Sequence, residues 1–260
     1  MKSQTDAERL REKAEKLLKA HTLPKDFGFV TQDADTLRLL ALTDKLAPLD
    51  DTVLITGESG TGKDLVAHSL HGRRSGRFLS LNLSAIPESM IQSELFGHVN
   101  GAYTGAVSNR MGLLVAASRG TMFLDEKGDI SPALQVLLLR VIETRKFRRI
   151  GENEDTEFKG RFIFASNKVN SGFREDLYHR IATYRLDLKP LRDRPDDIPL
   201  IVDSLDLGFT PEEIKDLWQL IRTTKKYQEE LLSGNVRELI RLAKQYKVLG
   251  RDNLDLYSRL

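Results

Sequence analysis

The chain has 260 residues, enough for one large domain with a smaller satellite. Its apolar share of 40% and charged share of 30% are those of a globular protein, and no apolar run is long enough to cross a bilayer. The lack of cysteine excludes disulfides and thiolate metal sites, and 40 basic against 38 acidic residues are too balanced to mark a nucleic-acid-coating protein.

The N-terminus, MKSQTDAERLREKAEKLLKA, is charged throughout and lacks the apolar centre of a secretory signal, so cytoplasmic residence is expected. Thr5 and Glu8 make a capping-box pair, and Leu10, Ala14, Leu17 and Leu18 recur at helical spacing. This predicts an amphipathic helix to about Ala20, packed on its own domain or forming a linker within residues 1–23.

From Thr52 the pattern changes to short, fully apolar runs separated by helical text. VLIT (53–56), FLSL (78–81), MFLD (122–125) and FIFA (162–165) are too short for helices and too apolar for half-exposed strands, as in a parallel sheet covered on both faces. Helices are expected over 64–71, over Pro87 to Phe96 with proline in the first turn, and over 133–143 behind Ser131-Pro132. Strand-helix alternation of this kind means an α/β domain, placed at residues 24–189.

Gly57-Glu58-Ser59-Gly60-Thr61-Gly62-Lys63 follows the strand VLIT and precedes a helix. That is the setting of a P-loop: glycines let backbone N–H groups turn toward phosphate oxygens, the helix N-terminus adds positive potential, and Lys63 reaches the terminal phosphates. Asp64 stands where most P-loops carry a hydroxyl for magnesium, so the metal must be held by other groups. Asp125-Glu126 closes the strand MFLD; Asp125 is suited to bind Mg²⁺ through water, and Glu126 to orient or deprotonate an attacking water. ATP and Mg²⁺ are therefore the expected ligands, and Lys127 is a cation adjacent in sequence to Glu126.

After Arg185-Leu186-Asp187-Leu188 the strands stop. Turn-rich PLRDRPDDIP (190–199) leads into helical text, including Thr210-Pro211-Glu212-Glu213 with N-cap, first-turn proline and capping-box glutamate together, so a small helical domain is expected over 190–260.

Taken in order, GESGTGKD (57–64), SELFGHVNGAYTGA (93–106), GTMFLDEKGDIS (120–131), FREDLYHRI (173–181) and GNVREL (234–239) resemble the AAA+ central domain of bacterial enhancer-binding proteins, the activators of sigma-54 RNA polymerase, over roughly residues 24–250. The fold this implies is a P-loop AAA+ domain, a parallel sheet flanked by helices, followed by an α-helical lid. The most specific part is Gly101-Ala102-Tyr103-Thr104-Gly105-Ala106, which corresponds to the family's sigma-54 contact loop, with Tyr103 where Phe is usual. By the same resemblance Asn82 is the switch asparagine that restrains the catalytic glutamate, Asn167 is sensor I, Arg174 and Arg180 are arginine fingers for a neighbour's ATP, and Arg237 is sensor II. Fingers supplied in trans imply a ring, by family a hexamer, and 147–162 resembles the second loop, which moves with the first.

Arg119 where glycine is common, Lys127 for an apolar residue, Ser233 where Trp-Pro is usual and the short connection from Asn167 to Arg174 depart from the family pattern. Besides an ATP-dependent activator, two readings stay open from sequence: a nucleotide-binding regulatory module with weak hydrolysis, and a AAA+ remodeller of another client. No DNA-reading domain is visible in these residues.

Overall fold

A computed structural model describes residues 28–72, 74–126, 130–167 and 172–251, and in it the chain falls into two compact units. The helix expected before Ala20, Lys127 and the segment 168–171 lie outside the described residues. None of the described helices is long and apolar enough to cross a membrane.

The first unit, residues 43–56 and 66–187, is built on a five-stranded parallel sheet. Its strands are β1 (Val53–Thr56), β2 (Phe78–Asn82), β5 (Thr121–Glu126), β8 (Arg161–Ser166) and β9 (Tyr184–Asp187), in the order β2-β5-β8-β1-β9. Each apolar run seen in the sequence became a strand, with β1 and β8 buried along their whole length. Helices α3 (Glu88–Phe96), α5 (Pro132–Thr144) and α6 (Glu175–Ile181) share one apolar core with the sheet through Leu95, Phe96, Leu134, Leu138, Leu177 and Ile181. α3 starts one residue later than proline alone suggests: Pro87, at ψ 135, flanks the helix from outside its first turn. Ser131 caps α5 as expected, accepting the N–H of Leu134 at 3.3 Å.

Two small ribbons complete this unit. β3 (Gly97–His98) and β4 (Arg110–Met111) are antiparallel and followed by a short helix α4 (Leu113–Ala116), and β6 (Lys146–Phe147) pairs with β7 (Thr156–Glu157) as a hairpin around the second loop. The fully buried Arg161 donates to the carbonyls of Asp51 (2.9 Å), Leu70 (3.2 Å) and Ala47 (3.4 Å). Burial lowers its pKa to about 10, so it remains a cation that ties these three carbonyls to the start of β8.

The second unit comprises residues 28–42, 57–65 and 188–251. Its core is helical: α7 (Asp197–Ser204), α8 (Pro211–Thr223) and α9 (Lys225–Leu249) bury Ile198, Ile201, Leu217, Ile221, Leu239 and Leu242 together. α8 opens with the full capping box, Thr210 and Glu213 each bonding the other's backbone N–H. α9 is broken at Asn235, where φ is 52 and ψ −134. Helix α1 (Ala34–Leu46) and helix α2 (Lys63–His71) each have their first residues in this unit.

Candidate nucleotide site and partner loop

In the helical unit, residues 57–63 form the turn expected of a phosphate loop. Gly60 has φ 79 and Gly62 φ 99, and a Cβ at Gly60 would lie 2.2 Å from the Gly234 carbonyl oxygen. Only glycine suits both the backbone conformation and that approach. Lys63 is buried at the start of α2, its Nζ donating to the carbonyls of Gly57 (2.7 Å) and Glu58 (2.9 Å), and Thr61 Oγ1 also donates to Glu58 O (2.8 Å). Ammonium group, loop and helix N-terminus thus converge on one turn whose chemistry suits an anion.

Residues from GNVREL clasp this loop. Arg237 Nη1 donates to Ser59 Oγ at 3.0 Å, the N–H of Val236 to Gly60 O at 3.0 Å, and Asn235 Nδ2 to Ser59 O at 3.0 Å. Asn235 Oδ1 accepts the N–H of Leu191 at 2.7 Å, so the strained backbone at Asn235 is held by bonds on both sides of its amide. Glu58 accepts both Arg192 Nη1 (2.7 Å) and Nη2 (2.6 Å), and this pair, helped by Asn235 and Lys63, holds its carboxyl below the usual range.

Beside the loop is a cleft of about 120 Å³ with apolar walls from Phe29, Val30, Leu65, Ile201, Leu205 and Ile240. Its polar edge is Arg194, which is buried and paired with buried Asp197 at 3.1 Å. Arg194 lies over the Phe29 ring at 5.2 Å and donates to Thr61 O at 3.2 Å, while Asp197 accepts Thr31 Oγ1 (2.6 Å) and the N–H of Gln32 (2.7 Å). A flat, apolar group with a polar edge suits such a cleft. Sequence reasoning had passed over this ion pair, because PLRDRPDDIP reads as a solvated turn.

In the sheet unit the expected residues line up at the carboxyl ends of the strands, where open α/β sheets hold their ligands. Asn82 is in register with Asp125, Asp125 with Ala165, and Glu126 with Ser166, which Asn167 follows. Asp125 is half-buried, a single carboxylate suited to Mg²⁺ that keeps most of its own waters. Asn82 Oδ1 accepts from the N–H (3.1 Å) and hydroxyl (2.7 Å) of Ser84.

Arg174 stands at the N-cap position of α6 and Arg180 lies in its last turn, both exposed. The Arg174 guanidinium grips Asp176 at 2.7 and 3.1 Å, and Arg180 Nε donates to Glu143 at 3.1 Å. Asp64 is exposed at the start of α2.

Gly101 to Ala106 form a loop raised on the β3–β4 ribbon. The Gly101 N–H bonds Ala106 O (2.8 Å) and the Ala106 N–H bonds Tyr103 O (3.0 Å), while Thr104 and Gly105 are exposed and Ala102 is half-buried. Tyr103 is 47% exposed, its ring edge-on to His98 at 5.2 Å; His98 is buried and its Nδ1 is 2.8 Å from Ser93 Oγ. The second loop touches the base of the first, at β3 and the residue after it: the Val99 N–H bonds Ile150 O (3.1 Å) and the Ile150 N–H bonds Gly97 O (2.9 Å).

With this geometry in view, comparison with known proteins is specific. The sigma-54 interaction domain matches residues 29–187. Transcriptional regulatory protein GlrR of Escherichia coli is 42% identical over 229 residues, covering 84% of this chain and 51% of that protein. The sigma54-dependent transcriptional activator SfnR of Pseudomonas putida is 42% identical over 225 residues, covering 81% of this chain and 60% of its own length. The chain thus spans about half the length of the curated relatives it matches. NtrX of Brucella abortus, solved in complex with ADP, superposes with a TM-score of 0.72 at 26% identity over 94% of this chain and 57% of that one. The same protein solved with ATP gives a TM-score of 0.69.

Proposed function

Because the chain belongs to the sigma-54 interaction domain family, we propose that it is an AAA+ ATPase that remodels sigma-54 RNA polymerase to permit open-complex formation. Residues 24–189 are its ATPase part and 190–260 its lid, and its place of work is the cytoplasm. The observation that carries the reading is the GAYTGA loop, raised on its own ribbon with Tyr103 and Thr104 exposed. An aromatic ring and a hydroxyl between two glycines make a contact tip that can move without disturbing the core.

Gly57, Glu58, Ser59, Gly60, Thr61, Gly62, Lys63 and Asp64 form the phosphate loop, with Arg237 over it from the lid. Asp125 would hold Mg²⁺, through water, and the metal would supply charge that offsets the phosphates. Glu126 orients the attacking water, Asn82 restrains Glu126 between nucleotide states, and Asn167 senses the γ-phosphate. Arg174 and Arg180 act on the ATP of the next subunit in a homo-oligomeric ring, probed below by mixing. Such fingers contribute on the order of 10³-fold or more in other phosphoryl-transfer enzymes.

Phosphate release and open-complex formation, each measured with and without sigma-54 polymerase, test the reading. Thr104→Ala is expected to keep ATP turnover and assembly, and to lose both sigma-54 binding with a transition-state ATP analogue and open-complex formation. Full activation by both Thr104→Ala and Tyr103→Ala removes the loop from the coupling role. ATP binding without turnover in the wild-type protein favours the regulatory module, for which Asp64 in place of a hydroxyl is the supporting feature.

A further inference from the structure

Glu58 is the second residue of the loop that carries Lys63, and its charge would oppose a polyphosphate bound there. Two lid residues attend to it. Arg192, in the 3₁₀ turn Leu191–Asp193, holds both carboxylate oxygens at 2.6 and 2.7 Å, and Asn235 Nδ2 lies 3.2 Å from the oxygen that Arg192 Nη1 also contacts.

The pair is 134 residues apart in sequence and half-exposed, so it contributes little to the stability of the fold. Its geometry is nonetheless specific. A planar guanidinium bound through two parallel N–H groups fixes the carboxylate's orientation as well as its charge. Asn235 accepts φ 52 while its amide bridges Glu58, Ser59 and Leu191. Backbone strain of this kind persists where surrounding bonds over-determine it.

Resting on the reading of the loop as an ATP site, we infer that Arg192 is a positioning residue for nucleotide binding: it neutralises Glu58 and turns its carboxylate away from the phosphates, favouring ATP over ADP. Without Arg192 the free carboxylate repels the bound polyphosphate. The penalty grows with the ligand's negative charge, so ATP suffers more than ADP. Salt screens it.

ATP and ADP binding to wild type, Arg192→Ala, Glu58→Gln and the double variant, at low and high salt, test the inference. Arg192→Ala is expected to weaken ATP about tenfold and ADP about threefold, with both losses smaller at high salt. Glu58→Gln placed on Arg192→Ala is expected to restore ATP affinity to within about threefold of wild type, because the repelling charge is gone. A purely structural Arg192 predicts no such rescue. Unchanged ATP affinity in Arg192→Ala, equal losses for both nucleotides, or no rescue in the double variant overturns the inference while leaving the ATP site standing. Wild-type protein that binds neither nucleotide overturns the functional reading itself, and this inference with it.

Discussion

The side-chain oxygen of Gln135, on α5, accepts the backbone N–H of Arg174, the residue just before α6, at 2.6 Å. Gln135 is buried, and its Nε2 donates to Ile130 O (2.8 Å) and Gly172 O (2.9 Å). One amide therefore ties the segment after β5 to the start of the helix that carries both proposed fingers.

Gln135→Leu keeps the volume but strands three backbone groups. Stability is expected to fall by about 1–3 kcal/mol, the usual cost of leaving buried polar groups unmade. Urea unfolding measures that loss. Phosphate release at saturating ATP should fall as well, with ATP affinity kept, because Arg174 loses its anchor while the phosphate loop does not.

Lys63→Ala is expected to abolish ATP binding, whereas Glu126→Gln keeps binding and stops turnover. Lys63 sits within the loop, its Nζ within 3 Å of two loop carbonyls, where the proposed site puts the terminal phosphates. Equilibrium nucleotide binding and phosphate release separate the two effects. Normal turnover by Glu126→Gln withdraws that residue from catalysis.

Arg174→Ala subunits mixed with Lys63→Ala subunits should regain part of the lost hydrolysis. Each lacks a different half of a shared site, and both guanidiniums are exposed on the surface of their own subunit. Activity of wild type per subunit should also rise with concentration. Mixed rings that form but stay inactive count against fingers acting in trans.

Arg119→Gly is expected to raise stability by about 0.5–1 kcal/mol. Arg119 has φ 63 and an exposed side chain, so it bears the steric cost of a left-handed backbone with little packing in return. Glycine removes that cost and gives back part of the gain as unfolded-state entropy. Urea unfolding gives the sign directly, and a loss of stability contradicts it.

Stability should decline as pH falls below about 6.5, the ordinary value for histidine. Burial, then the charges of Arg74 and His68, hold the pKa of His71 below that value, while its Nδ1 lies 2.9 Å from Thr121 Oγ1. The unfolded chain therefore takes up the proton first, so the contribution is complete above the unfolded pKa and is lost as pH falls toward the folded one. His71→Asn should flatten the urea midpoint between about pH 7.5 and 5.5. An unchanged slope assigns the effect to other groups.

Some of this was legible because it is local. Four apolar runs announced four sheet strands, since strands covered on both faces admit few polar residues. The GAYTGA loop could be expected from sequence because it resembles the family's contact loop, and the phosphate loop and Asp125-Glu126 because their chemistry needs particular residues at short spacing. Capping at Ser131 and Thr210 was legible for the same reason. The tertiary structure alone decided the rest. Arg192 on Glu58, Arg194 with Asp197 under Phe29, Gln135 under Arg174 and His98 against Tyr103 are polar groups that look like solvated surface or ordinary turn in the sequence. Their partners are chosen by how distant segments close on one another, and for Arg194, Asp197 and Gln135 burial then makes those partners obligatory. Asn235 is the sharpest case: nothing in GNVREL announces a backbone at φ 52, which exists because the phosphate loop and Leu191 hold both ends of its amide.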